Sequence, residues 1–316
     1  MGKILSLKNI YVGRQEIVIL RDISFEIEKG EIVSIVGESG CGKSLTLRTI
    51  INLLPQNFKI LKGKIIFEGE NITEFDEERM RNIRGKKIGI IFQEPSSYLN
   101  PLFTIGNQIQ EAIMEKMSKK EKKEKVIKIL EEIGLSSINY NQYPHQLSGG
   151  MQQRAMIAMA IINNPLLLLA DEPTTALDVT TAFSIINLLK KLVLTHNLSI
   201  IFVTHDISLA KFISEKIIVM YSGVIVESGP SDLVYNEPLH PYTKKLIDCL
   251  PERYKKGEKI RVIEGEVPSF KNLPSGCPFY PRCKFRKEKC EKFLPEEIKI
   301  DKRAIRCFNY GNIVEG

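Results

Sequence analysis

The stretch KGEIVSIVGESGCGKSLTLRTIINLL constrains the fold more than any other part of the chain. A run rich in β-branched residues ends in GESGCGKS, residues 37–44, and a helical pattern follows at once. Strand, glycine-rich loop and helix start in this order fit G-x-x-x-x-G-K-[ST]. In such a loop the backbone N–H groups curl around phosphate oxygens, and the helix N-terminus adds the positive end of its dipole. Lys43 is placed to reach the β- and γ-phosphates of a nucleotide and Ser44 to ligate Mg²⁺. Gly37, Ser39, Gly40, Cys41, Gly42 and Leu45 complete this set, with Cys41 read as a small tolerated side chain. The helix is expected to run to Leu54 and stop before Pro55.

Upstream, ILSLKNI and ISFEIE alternate apolar and polar residues like short strands. Downstream, GKIIFEG and KKIGIIFQEP read as strands, and residues 98–164 read mostly as helix. In EKMSKKEKKEKVIKILEEIG, the Lys/Glu face is solvated and Val126, Ile127, Leu130 and Ile133 are expected to turn inward. PLLLLADEP and SIIFVTHD are apolar runs of the kind that form buried parallel strands, with the helix AFSIINLLKKLVLTH between them. KIIVMYSGVIVESG reads as a hairpin around Ser222 and Gly223. Strands alternating with helices predict an α/β fold: a mainly parallel core with antiparallel N-terminal strands and a helical subdomain at about 98–164. The texture changes near residue 240, so residues 1–240 are read as one domain and 241–316 as a small Cys-rich extension.

Composition narrows the classes. Apolar residues make up 43% of the 316, enough for a sizeable core. The formal charge is +7, but its densest run lacks interleaved aromatics, so no nucleic-acid groove is expected. The N-terminus lacks the apolar core of a signal peptide, and no apolar run is long enough to span a bilayer. The expected location is the cytoplasmic face of a membrane, reached through a partner.

Two further motifs complete the chemistry. LLLLADEP puts Asp171 at a buried strand end, suited to an outer Mg²⁺ contact, and Glu172 next to it, suited to polarising an attacking water. LSGGMQQR, residues 147–154, opens a helix with Ser148 at an N-cap position and Gly149–Gly150 behind it, a second anion-binding terminus. One nucleotide needs one such loop. The second is explained if it serves a nucleotide held by another subunit.

On these residues the chain resembles the ATP-binding-cassette (ABC) ATPases, whose signature is LSGGQ. Leu147, Ser148, Gly149 and Gly150 match it, and the Gln follows one place later as Gln152. The resemblance covers about residues 4–240. It implies that Gln93 looks toward Mg²⁺ and a membrane partner, that Asp178 closes the loop TTALD, and that His205 contacts the γ-phosphate. It also implies that two cassettes close head to tail around two ATP molecules. Tyr11 is the candidate for stacking on adenine.

NEPLHPYTKKLIDCLP and GEVPSFKNLPSGCPFYPRC resemble the C-terminal extension of the oligopeptide/dipeptide importer ATPases. The implied partners are two transmembrane permease subunits, a second homologous ATPase (or a second copy of this chain) and, indirectly, a solute-binding protein. Nickel and glutathione importers use related ATPases, and soluble ABC ATPases of DNA repair or translation are the alternative of a different class. An iron–sulfur redox enzyme has no flavin or haem motif in its favour.

Cys277, Cys283, Cys290 and Cys307 are separated by five, six and sixteen residues. In a cytoplasmic setting, clustered cysteines point to metal rather than disulfides. None of these gaps is the close pair usual for structural zinc, and Pro278 follows Cys277 as in ferredoxin-type sequences. The expected centre is a 4Fe-4S cluster, with Zn²⁺ or reduced thiols as alternatives. Arg282, Lys284, Arg286, Lys287 and Lys289 are expected to offset its charge.

Overall fold

The computed structural model describes residues 2–255, 257–259 and 261–310. The chain falls into two compact units, each built from several segments.

The first unit comprises residues 1–5, 27–32 and 67–203. Its centre is three parallel strands, Ile88–Ile91, Leu167–Asp171 and Ser199–Thr204, the last running one residue beyond the unit. Every residue of the last two strands is buried, which is why they read as unbroken apolar runs rather than alternating ones. The helices of 98–164 come in short pieces. Lys119–Glu132 opens with a full capping box, Ser118 with Glu121. It buries Val126, Ile129 and Leu130, and Ile133 follows at its C-cap. That i, i+3, i+4, i+7 stripe corrects the expected inward set: Ile129 takes the place of Ile127, which stays partly exposed. Arg154 of Gly149–Ile161 joins the helices, donating to the Ile133 carbonyl and, at 2.6 Å, to the Ser184 hydroxyl.

The second unit comprises residues 6–26, 33–66 and 204–316. Asn9 bonds to Ser24 and Asp22 while Ser6 bonds to Glu26. Residue numbers rise on one strand as they fall on the other, so the N-terminal strands are antiparallel, as expected. Ile32–Val36 runs parallel to Lys216–Tyr221, which turns back antiparallel as Val224–Pro230. The turn has φ of 40° at Ser222 and 79° at Gly223, the paired left-handed geometry that matches the twist of a hairpin.

Helix Lys43–Ile50 is shorter than expected. Asn52 takes a left-handed φ of 51° and the Leu53 N–H donates back to the Arg48 carbonyl at 2.9 Å, a C-terminal stop three residues before Pro55. Two tail strands went unread in the sequence. Arg303–Ile305 pairs with Val224–Pro230, and Ile298–Ile300 pairs with it in turn. Three-residue strands are too short to show a period. The tail shares its apolar packing: Phe279, Cys277, Tyr242 and Ile247 join one buried cluster with Val219, Tyr221, Val224 and Val226.

Arg306 pins the end of the tail. Its Nη2 donates to the Asp22 carboxylate at 2.6 Å, and its side chain is 8% exposed against 21% for Asp22. Burial pushes the Asp22 carboxyl up, but the Asn9 hydrogen bond and the Arg306 charge outweigh it and hold the pKa below its ordinary value. Arg306→Ala is expected to cost about 2 kcal/mol, less than the ~3–5 of a wholly buried pair because Asp22 is partly exposed. Urea melts of the two proteins measure it. A lowered carboxyl pKa stabilises above the ordinary value and ceases to as pH falls through the folded one. The gap between the melts therefore narrows at acid pH.

Candidate functional site

Residues 37–44 and His205 lie in the second unit; Gln93, residues 147–152, Asp171, Glu172 and Asp178 lie in the first. Each set is built from its own neighbours.

The loop 37–44 is shaped by close approach. A Cβ on Gly37 would run into the Met220 carbonyl oxygen and lie 2.8 Å from the Cys41 sulfur. Gly42, at the N-cap of Lys43–Ile50, has a φ of 108° that L side chains rarely adopt. The Cys41 carbonyl accepts the Gly223 N–H at 2.8 Å, so the hairpin turn supports the loop. Lys43 is 4% exposed, and its ammonium donates to the carbonyls of Gly37 at 2.8 Å and Glu38 at 3.1 Å. The charge the sequence assigns to phosphate thus rests on the loop's own carbonyls. Ser44 and Leu45 are partly exposed at the helix start. Cys41 is fully buried, and burial pushes its thiol pKa up. Tyr11 is half-buried with the Lys62 ammonium 5.6 Å from its ring centre. His205 is exposed, just before Asp206, which caps Ile207–Ile213 through the N–H groups of Ser208 and Leu209.

In the first unit, Asp171 ends its strand 5% exposed. Glu172 follows with φ at 45°, a left-handed backbone costly for a residue with a Cβ and often found where a side chain must be aimed. Its Oε2 accepts the Thr175 hydroxyl at 2.9 Å, and its N–H donates to the Val203 carbonyl at 3.1 Å. Asp178 caps Val179–His196 by accepting the Thr181 N–H at 3.0 Å, and hydrogen bonds from Thr181 hold its carboxyl below the ordinary range. Ser148 caps Gly149–Ile161 with Ser148 and Gly149 exposed and Leu147 buried beneath them. The Gln152 side chain turns back, donating to the carbonyls of Pro144 at 2.8 Å and Leu147 at 3.4 Å. It braces the turn before the helix. Gln93 is exposed, one residue past the Phe92 ring that stacks on Tyr98 at 4.4 Å.

Residues 20–175 match the ABC transporter family, and residues 226–290 match the oligopeptide/dipeptide transporter C-terminal region. The dipeptide transport ATP-binding protein DppD of Bacillus subtilis is 39% identical over 98% of this chain and 95% of its own. The oligopeptide transport ATP-binding protein AppD of the same organism is 42% identical over 96% and 95%. The chain belongs to the ABC transporter ATP-binding family. Among solved structures, the dimeric post-hydrolysis ATP-binding cassette MJ0796 bound to ADP and Pi has a TM-score of 0.64 at 34% identity, covering 72% of this chain and 98% of that one. The chain is an ABC-type ATPase.

This ABC ATPase carries Cys277, Cys283, Cys290 and Cys307 around one small cavity of about 20 Å³. Backbone N–H groups of Phe279, Phe285, Lys287 and Asn309 donate to the sulfurs of Cys277, Cys283, Cys290 and Cys307 respectively. Burial pushes the Cys277 thiol up to about 12 and that of Cys307 to about 11. The donor set has the chemistry of a thiolate site. Yet among the described residues no group of three or more His, Cys, Asp or Glu is placed to hold a metal ion. The expected 4Fe-4S centre, and its zinc alternative, are therefore not shown. Burial pushes the Cys283 thiol up, and of the basic residues expected to offset thiolate charge Arg286 does lower it, while others are engaged elsewhere. Arg282 bonds to Glu38, not to the thiols; Arg286 lies over Tyr280 at 5.5 Å and Lys289 over Phe308 at 4.3 Å. Among the described residues no helix is long and apolar enough to cross a membrane.

A buried thiol kept neutral should not react. Iodoacetamide at neutral pH is expected to leave Cys41 unmodified in the native chain and to label it in urea, read by peptide mass spectrometry. Rapid native labelling would contradict its burial.

Proposed function

We propose that this chain is the ATP-hydrolysing subunit of a membrane importer for dipeptides or oligopeptides. What carries the reading is similarity over nearly the whole length, tail included, to relatives named for dipeptide and oligopeptide transport. A soluble ATPase of DNA repair or translation has no account of residues 226–290, and the names of DppD and AppD favour a peptide over nickel or glutathione. The partners are two permease subunits and a second ATPase, homologous or identical, at the cytoplasmic membrane face. Residues 1–240 form the ATPase domain and 241–316 its extension, of which 256, 260 and 311–316 lie outside the described residues.

In this mechanism Lys43 leaves the carbonyls of Gly37 and Glu38 for the β- and γ-phosphates, while the N–H groups of residues 40–45 cradle phosphate oxygens. Ser44, Gln93 and Asp171 are the residues that would hold Mg²⁺, which when bound would neutralise phosphate charge. Glu172, aimed by its left-handed backbone, polarises the attacking water, and His205 contacts the γ-phosphate. Tyr11 stacks on adenine. The exposed Ser148 and Gly149, with the half-buried Gly150 behind them, offer a second helix N-terminus to a nucleotide held by the partner ATPase. Asp178 keeps its loop in place by capping the next helix. Gln152 acts at one remove, through the turn it braces.

Lys43→Ala is expected to abolish tight ATP binding. Glu172→Gln keeps binding but lowers kcat by about 100-fold or more, the usual worth of a positioned base. Turnover at the wild-type rate in Glu172→Gln would remove that role. In a homodimeric preparation, mixing a Lys43 variant with a Gly150 variant tests the shared site. Recovery of activity in demonstrably mixed dimers is the expected result, and none at all would refute it.

We further propose that the four tail thiols hold a 4Fe-4S cluster, which would supply cross-linking to a tail with little core of its own. Anaerobically purified protein should be brown, with iron and sulfide near four each per chain, as such a cluster contains. Colourless protein with stoichiometric zinc would replace the cluster with the alternative metal.

A further inference from the structure

Glu38 is the second residue of the loop 37–44, and all three of its polar groups are engaged. Its carbonyl accepts the Lys43 ammonium at 3.1 Å. Its N–H donates to the Tyr242 hydroxyl oxygen at 3.0 Å. Its carboxylate takes both terminal nitrogens of Arg282, Nη1 to Oε2 at 2.7 Å and Nη2 to Oε1 at 3.1 Å. Two of these three attachments come from residues beyond 240.

The two tail residues are firmly held. The Arg282 side chain is 4% exposed, and its remaining donors go to the Tyr221 hydroxyl at 3.2 Å, the Glu264 carbonyl at 3.0 Å and the Ile263 carbonyl at 3.0 Å. Tyr242 is fully buried, packed edge-on against Tyr221 at 4.6 Å and tilted against Phe279 at 5.3 Å. The N–H of Tyr242 is capped by His240 Nδ1 at 3.0 Å, and the His240 N–H is taken by the buried Glu227 carboxylate at 2.9 Å. Arg282 immediately precedes Cys283 in the Cys-rich turn.

We propose that Arg282 and Tyr242 are positioning residues for nucleotide binding: the C-terminal extension grips Glu38 and so sets the phosphate affinity of the loop. The physical case has two parts. A carboxylate in a loop that receives a polyanion repels it across a short distance, and the Arg282 fork both neutralises that charge and fixes its direction. The grip on the Glu38 N–H also fixes the carbonyl on which the Lys43 ammonium rests. Lys cannot replace Arg here without losing the two-pronged geometry. A state of the tail that releases Arg282 would therefore weaken ATP binding while leaving the loop sequence untouched.

The proposal rests on residues 37–44 being the phosphate loop. The test measures ATP affinity of the full chain by calorimetry in five proteins: wild type, Lys43→Ala, Arg282→Gln, Glu38→Gln and the double variant Glu38→Gln/Arg282→Gln. Arg282→Gln is expected to bind ATP about tenfold more weakly, the scale of one uncompensated charge at short range. The double variant is expected to return to the affinity of Glu38→Gln alone. A merely structural loss at position 282 is not repaired by neutralising residue 38. Wild-type affinity in Arg282→Gln, or equal weakness in the double variant, would overturn the grip. Wild-type affinity in Lys43→Ala would overturn the loop assignment instead, so the two failures are distinct. Should Arg282→Gln not fold, Arg282→Lys carries the same comparison. It is expected to weaken binding about threefold, with affinity restored or exceeded once Glu38 is neutral. Unchanged affinity in Arg282→Lys, or no recovery in its double variant, overturns the proposal equally.

Discussion

A lysine ammonium held out of water needs acceptors, and Lys43 finds them in the carbonyls of Gly37 and Glu38. Much of the surrounding structure is the means of presenting those two oxygens. Gly37 has to pass close to the Met220 carbonyl, so it carries no side chain. Cys41 hands its carbonyl to the Gly223 N–H, which ties the loop to a hairpin whose own turn needs left-handed backbone at both corners. The Thr46 hydroxyl bonds back to the Gly42 carbonyl at 2.9 Å, closing the first turn of the helix behind the loop. A charge parked this way is available to a ligand that offers better oxygens, and phosphate does.

How much of this was legible in the sequence depended on how local the cause was. The loop 37–44 and the hairpin at Ser222 and Gly223 follow from neighbours in the chain, and the strands of PLLLLADEP and SIIFVTHD from unbroken apolar runs. The helix stops at Asn52, ahead of the louder sequence signal of Pro55, because a single left-handed Asn leaves no pattern in the sequence. Ile127 is apolar yet stays partly exposed, because apolar character alone does not choose between adjacent positions. The helix phase does, and it selects Ile129.

The engagement of Glu38 could not be read from the sequence. Glu38 and Arg282 stand 244 residues apart, and no period or motif joins them. Arg282 sat among basic residues beside cysteines, so a general electrostatic role looked sufficient. Only the packing of Tyr221, Tyr242 and Phe279 shows where the guanidinium goes. Gln152 gives the same lesson: the signature pattern names the residue but says nothing of the turn before its helix, which its amide braces.

The pairing of Arg303–Ile305 along Val224–Pro230 has a consequence for solubility. A strand lying outermost in a sheet exposes unpaired N–H and C=O groups, a template for sticking to another chain. Here the tail covers that row with the three-residue strand Arg303–Ile305, and Ile298–Ile300, with Lys299 at its middle, becomes the new margin. Trimming the chain back near residue 240 would strip this cover and lay bare Val219, Tyr221, Val224 and Val226 together. The tail strands Ile298–Ile300 and Arg303–Ile305 thus give the sheet a short, lysine-bearing margin in place of the longer Val224–Pro230.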